Sequence, residues 1–153
     1  MAPISNDDTF RQSLLQLEPA RQRLVAARFV EHVLPLCSDD RIGRALKVAA
    51  DAEASDDELA GALKSARAAA LDTHTRCGAE GNWRDQAGYF VCRAAVAALT
   101  PGELAKGGSP AWQAAMSSRM ARTSVLISEE SDAVTSRSES EWQYRALEDY
   151  TNA

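Results

Sequence analysis

A chain of 153 residues, 45% hydrophobic and 25% charged, has the size and polarity of one ordinary globular domain. Folding at that length buries about 70% of the unfolded surface, enough for a core without disulfide or metal staples. A formal net charge of −5 argues against a general nucleic-acid binder, which needs a basic surface to displace counterions, and no run approaches the ~20 apolar residues of a membrane span.

Alanine carries much of the apolar share while aromatics make up 6%, a mix that suits helices better than sheets. The first residues, Met1 to Asp8, are acidic and lack an apolar stretch, so no signal peptide is expected and the cytoplasm is the default location. Cys37, Cys77 and Cys92 are an odd set with no CxxC spacing, unlike a secreted disulfide framework, and all three are expected as free thiols.

Phe10, Leu14 and Leu17 mark a short first helix. Pro19 opens a second, lined by Val25, Phe29, Val33 and Leu36 and widened by Ala26, Val30 and Cys37; Pro35 should end or kink it. Ser38-Asp39-Asp40 caps a third, with Ile42, Ala45, Leu46 and Ala49 as its stripe. Ser55-Asp56-Asp57-Glu58 is a capping box, in which hydroxyl and carboxylate each satisfy the other residue's backbone N–H. It starts a fourth helix with Leu59, Leu63, Ala66 and Ala70 on one face, and Gly78 is a natural stop.

Asn82 caps a fifth helix carrying Tyr89, Phe90, Ala94, Ala97 and Ala98. Thr100-Pro101-Gly102-Glu103 and Ser109-Pro110 read as two further starts with proline at the first helical position. Trp112, Met116, Met120, Thr123 and Ile127 form a later stripe. Residues 128–140 are polar, a linker or an exposed helical extension, and Ser138 with Glu141 offers a last cap before Trp142, Ala146, Leu147 and Tyr150. The expected architecture is therefore all-α: residues 1–153 as a single compact bundle of about seven to eight helices. Ala62, Ala66 and Ala70 facing Ala94, Ala95 and Ala98 would let the fourth and fifth helices approach closely; a dimer surface is the other use of such a stripe.

The polar run from Thr73 to Asp85, between two Ala-rich helices, is the densest in chemistry. His74, Arg76, Glu80, Asn82, Trp83 and Arg84 make it a candidate protein-binding surface, since Trp and Arg are enriched at binding hot spots; a buried Trp83 with a Glu80–Arg84 pair is the purely structural account. A metal site using His32, His74 and Cys77, with Cys37 or Cys92 as a fourth ligand, can be drawn but lacks paired dyads at ligand spacing. A nucleophilic Cys77 paired with His74 is disfavoured, because a helix C-terminus repels a thiolate. His32 beside Cys37 or Glu31 reads as a packed residue, and Asp39-Asp40 and Asp56-Asp57 as first-turn carboxylates complementing helix dipoles. The glycines around Gly78-Gly81 and Gly107-Gly108 come after no strand, so they mark turns rather than a phosphate cradle, and no cofactor is implied.

Phe29-Val30-Glu31-His32-Val33-Leu34-Pro35-Leu36, then Asp39-Asp40-Arg41 and Ala45-Leu46, an Ala-rich helix reaching His74, and the closing Glu141-Trp142-Gln143-Tyr144-Arg145-Ala146-Leu147 together carry a resemblance. Over residues 20–100 and the tail, the chain resembles the Ala-rich helical proteins described as immunity proteins of bacterial polymorphic toxin systems, the fifth-numbered immunity family. It departs from them in a shorter acidic turn after Pro35 and in the Gly-rich loop before Trp83. The resemblance implies an all-helical, non-enzymatic protein that neutralises a toxin by binding it, and it carries over no site residues. The expected function is thus binding of a protein partner. A helical metalloprotein or metal-dependent hydrolase using His32, His74 and Cys77, and a helical subunit of a larger assembly, are the rival readings.

Overall fold

The computed structural model describes residues 3–77, 82–105, 108–128 and 135–152. Among them the chain forms seven α-helices and no strand: α1 (Asp7–Leu15), α2 (Pro19–Val33), α3 (Asp40–Ala49), α4 (Asp56–Cys77), α5 (Trp83–Leu99), α6 (Pro110–Ser128) and α7 (Thr135–Asn152). Pro35 ends the second helix as expected: α2 stops at Val33 and tightens into a 3-10 turn over Leu34–Leu36.

Several helix starts obey the local chemistry. The Ser55 hydroxyl accepts from the Glu58 N–H at 3.1 Å, and the Glu58 carboxylate accepts from the Ser55 N–H at 3.2 Å, closing the capping box. Asn82 accepts from Asp85 N–H at 2.9 Å and Ser109 from Trp112 N–H at 3.3 Å. For α3 the cap is Asp39, accepting from Arg41 N–H at 3.0 Å. Asn6, not foreseen from sequence, caps α1 by accepting from Thr9 N–H at 2.9 Å.

Two expected starts are corrected. Thr100 terminates α5 instead of opening a helix: its hydroxyl donates back to the Val96 carbonyl at 2.7 Å, and beyond it Gly102–Leu104 make only a 3-10 turn. Likewise, Ser138 does not cap the last helix, because α7 begins at Thr135. The polar segment 128–140 is thereby divided, with Ser128 ending α6 and residues from 135 onward helical; residues 129–134 lie outside the described part.

α5 occupies the centre. It packs most extensively on α6, then on α4, and also meets α2 and α3. Accordingly it buries more than half of its circumference, with Ala87, Gly88, Val91, Cys92, Ala94, Ala95, Ala97, Ala98 and Leu99 buried and Arg93 exposed on the remaining face. Ala62 and Ala66 of α4 and Ala94, Ala95 and Ala98 of α5 are buried, in keeping with the close α4–α5 pair read from sequence, but Ala69 and not the expected Ala70 completes the buried α4 stripe, Ala70 being half-buried.

The face of α6 is a correction. Trp112 and Met116 are only half-buried and Met120 is 48% exposed; the buried stripe is Ala111, Ala114, Ala115, Ser118, Ala121 and Ser124. A central helix coated in alanine leaves room for small side chains at close approach, not for a methionine row. The two buried serines cost little, since Ser118 donates to the Ala114 carbonyl at 2.8 Å and Ser124 to the Met120 carbonyl at 2.9 Å.

Large side chains collect instead around Phe10, whose ring lies 5.7 Å from Phe29, 6.1 Å from Trp112 and 5.2 Å from Tyr144, joining α1, α2, α6 and α7. Phe29 is fully buried. Phe29→Ala should therefore lower unfolding free energy by about 3–5 kcal/mol in urea melts, through lost transfer energy plus a cavity. Ser55→Ala should cost about 1 kcal/mol with the helical circular-dichroism spectrum unchanged.

Candidate functional site: an arginine-lined cleft over a cysteine pair

Where the 3-10 turn after α2, the start of α3, the end of α4 and the start of α5 converge, they leave a cleft of about 450 Å³. The Leu36 carbonyl rests over Gly88, 3.6 Å from where a side chain there would begin. Gly88 and Cys92 lie one helical turn apart on the same face of α5. Cys37, directly after the turn, thus arrives against Cys92, with the two sulfurs 3.9 Å apart. Both are free thiols; Cys37 is partly exposed on the cleft wall and Cys92 is fully buried.

The pair is electrostatically uneven. The hydrogen bond between the two sulfurs, helped by the Asp39 backbone N–H and the Arg76 charge, lowers Cys37 to about 7 against the opposing effects of burial and the Asp39 carboxylate. Cys92 is pushed strongly upward by the same bond and by burial, so it keeps the proton. Behind it, Thr73 Oγ1 lies 3.7 Å from the Cys92 sulfur, donates to the Ala69 carbonyl at 2.7 Å and accepts from Arg76 Nη2 at 3.2 Å. A polar chain therefore runs from the exposed Arg76 guanidinium to the buried thiol.

Charge at the rim is partly self-compensated. Arg41 pairs with Asp39 at 2.7 Å and with Asp72 at 3.0 Å, and the Arg41 guanidinium pulls the Asp39 carboxyl below its ordinary range. Arg44 and Arg84 also line the cleft, and neither makes an ion pair within 4 Å among the described residues. Sequence reasoning selected Arg76 and Arg84, named Cys37 and Cys92 only as alternative fourth metal ligands and not as a pair, and missed Arg41 and Arg44. The one signal for the pairing was Pro35, whose helix break turns Cys37 back toward α5.

The other expected binding residues scatter around this cleft. Asn82 is the α5 cap, Trp83 beside it is 43% exposed, not a buried anchor, and His74 is exposed with its ring 5.1 Å from Tyr89. Glu80 lies outside the described residues, as does the side chain of Cys77. His32 stands apart from this group. Its ring stacks on Trp142 at 3.6 Å and 6°, and Nδ1 lies 2.6 Å from a buried Glu139 carboxylate. The alternative triad of His32, His74 and Cys77 falls partly outside the described residues; among those described, no group of three His, Cys, Asp or Glu side chains is placed to hold a metal.

Glu139 is instead a structural hub. Its other oxygen takes Arg122 Nε at 3.1 Å, and Arg122 Nη2 reaches the His32 carbonyl at 3.3 Å, tying α2, α6 and α7 together. The His32 and Arg122 side chains remain 34% and 28% exposed, so each can still be hydrated when the carboxylate is removed. Glu139→Ala should then cost about 2 kcal/mol by denaturant titration, less than the 3–5 typical of fully buried pairs. Compared with known proteins, this chain matches no protein-family model, no curated protein and no solved structure.

Proposed function

We propose that this chain is a non-enzymatic protein-binding module whose partner docks over the arginine-lined cleft. The observation that carries this reading is a pair of guanidiniums, Arg44 and Arg84, with no ion pair among the described residues, at the mouth of an open 450 Å³ cleft beside Arg76. On a chain of net charge −5 such a cluster runs against the overall field. Planar guanidiniums on the middle of α3, the start of α5 and the last turn of α4 suit bidentate capture of carboxylates. The partner face is therefore expected to present Asp or Glu side chains, with Trp83 supplying apolar contact at the edge. The resemblance to immunity proteins of polymorphic toxin systems supplies the partner class: a toxin domain, neutralised by occlusion.

The test is to search the products of the genes flanking this chain's own for a toxin domain, and to measure its binding by calorimetry. Replacing Arg44, Arg76 and Arg84 together by Ala should weaken the complex by 2 kcal/mol or more, about 30-fold in Kd, and flatten its salt dependence. The melting temperature should stay near that of the parent, because these side chains are exposed. A control carrying Lys47→Ala and Lys64→Ala, both exposed and outside the cleft lining, should bind like the parent. Equal losses in both variants, or none in the first, would refute the cleft as the docking surface.

A further inference from the structure

The binding role assigned to the cleft makes no use of the two sulfurs at its base. We propose that Cys37 and Cys92 form an oxidant-reactive dithiol, in which a hydroperoxide entering the cleft oxidises Cys37 and Cys92 then closes an intramolecular disulfide. Four observations support it. The sulfurs are 3.9 Å apart, close to contact but unbonded, and a disulfide needs about 2.05 Å. Cys37 comes after a 3-10 turn in extended backbone, φ −117° and ψ 132°, outside any helix, so its side chain can swing without unwinding one. Cys37 lines the open cleft whereas Cys92 is fully buried, which separates an attacking sulfur from a resolving one. Finally, Arg76 lines the same cleft as Cys37 and its charge acts on that sulfur, placing a positive charge beside the site where hydroxide or alkoxide is expelled.

The chemistry balances without a metal. The Cys37 thiolate attacks the nearer peroxide oxygen, the O–O bond breaks, and Cys37 becomes a sulfenic acid as hydroxide or an alkoxide departs. The Cys92 sulfur then attacks the sulfenic sulfur; the S–O bond breaks, the Cys92 proton leaves with that oxygen, and water is released with a disulfide. The peroxide is reduced by two electrons and the thiol pair is oxidised by two.

Two opposed effects indicate which feature matters more. The lowered Cys37 thiol has a larger thiolate fraction at neutral pH, but nucleophilicity falls with pKa and returns part of that gain. Activation alone is modest, so it is the second thiol in near contact that sets this site apart from an ordinary surface cysteine. The groups facing Cys37 are Cys92 from α5, Asp39 from its own segment and Arg76 from α4, with Asp40, Arg41, Arg44, Arg84 and Asp85 lining the same cleft.

Cys77→Ser provides a chain whose only thiols are the pair. Treated with hydrogen peroxide, it should lose both thiols together and two hydrogens in intact mass, with Cys37 and Cys92 peptides linked in a non-reducing map and released by dithiothreitol. Adding Cys92→Ser should stop the reaction at a Cys37 sulfenic acid that dimedone traps. Adding Cys37→Ser instead should slow Cys92 oxidation at least tenfold. Iodoacetamide alkylation of Cys37 should give a pH curve centred near 7, moving up toward the ordinary thiol range in Cys92→Ala. The proposal fails if the thiols oxidise independently, if crosslinks form only between molecules, or if Cys92 reacts first. It also fails if the alkylation midpoint is that of the guanidinium-denatured chain.

Discussion

The surface of α5 is the constraint on which the other helices depend. A helix flanked on several sides must be apolar over most of its circumference and narrow, and alanine meets both conditions while favouring helix formation. Ala94, Ala95, Ala97 and Ala98 are buried, and α6 answers with Ala111, Ala114, Ala115, Ser118 and Ala121. Small residues on both sides bring the axes close, so the dispersion contacts come from backbone and Cβ atoms and not from long side chains. The consequence is that bulky residues are displaced to the margins, where Phe10, Phe29, Trp112 and Tyr144 gather under α1 and α7.

The bundle is therefore joined by two kinds of seam. Between α4, α5 and α6 it is made mainly of small apolar residues. Along α7 it is polar: Gln143 donates to the Ala115 carbonyl at 3.0 Å and accepts from Arg119 at 2.8 Å, and Arg119 also reaches Asp7. Arg119 and the Tyr144 hydroxyl hold the Asp7 carboxyl below its ordinary range. A carboxylate depressed in the folded state contributes stability above its unfolded value near 3.9 and loses it as pH falls through the folded value. The attachment of α1 and α7 is accordingly acid-sensitive in a way that the alanine seam is not.

The same packing creates the cleft. α2 cannot continue past Pro35, so the chain tightens into a 3-10 turn and lies over Gly88, and α3 starts beside the end of α4. Arginines near three helix termini then share one opening, and a cysteine just past the turn meets one on the central helix. A binding rim and a thiol pair in one place result from one helix break.

Local sequence chemistry determined most of the helices by itself. The capping box at Ser55, the caps at Asn82 and Ser109, the break at Pro35 and the stripes of α2 and α3 are short-range features, each written within a few residues, so they could be read without the fold. The all-α class came from them. Where two local readings competed, only the tertiary structure could choose. Thr100 has the chemistry of a cap, yet its hydroxyl turns back to Val96 as the end of α5. α6 offers both a Trp-Met row and an Ala-Ser row, and the alanine surface of α5 decided its rotation, because only small side chains fit between axes that close. Arg76 and Arg84 stood out because they flank a polar loop. Cys37 and Cys92 are 55 residues apart, and no local pattern encodes a distance between sulfurs; that depends on how a turn and a central helix meet in three dimensions.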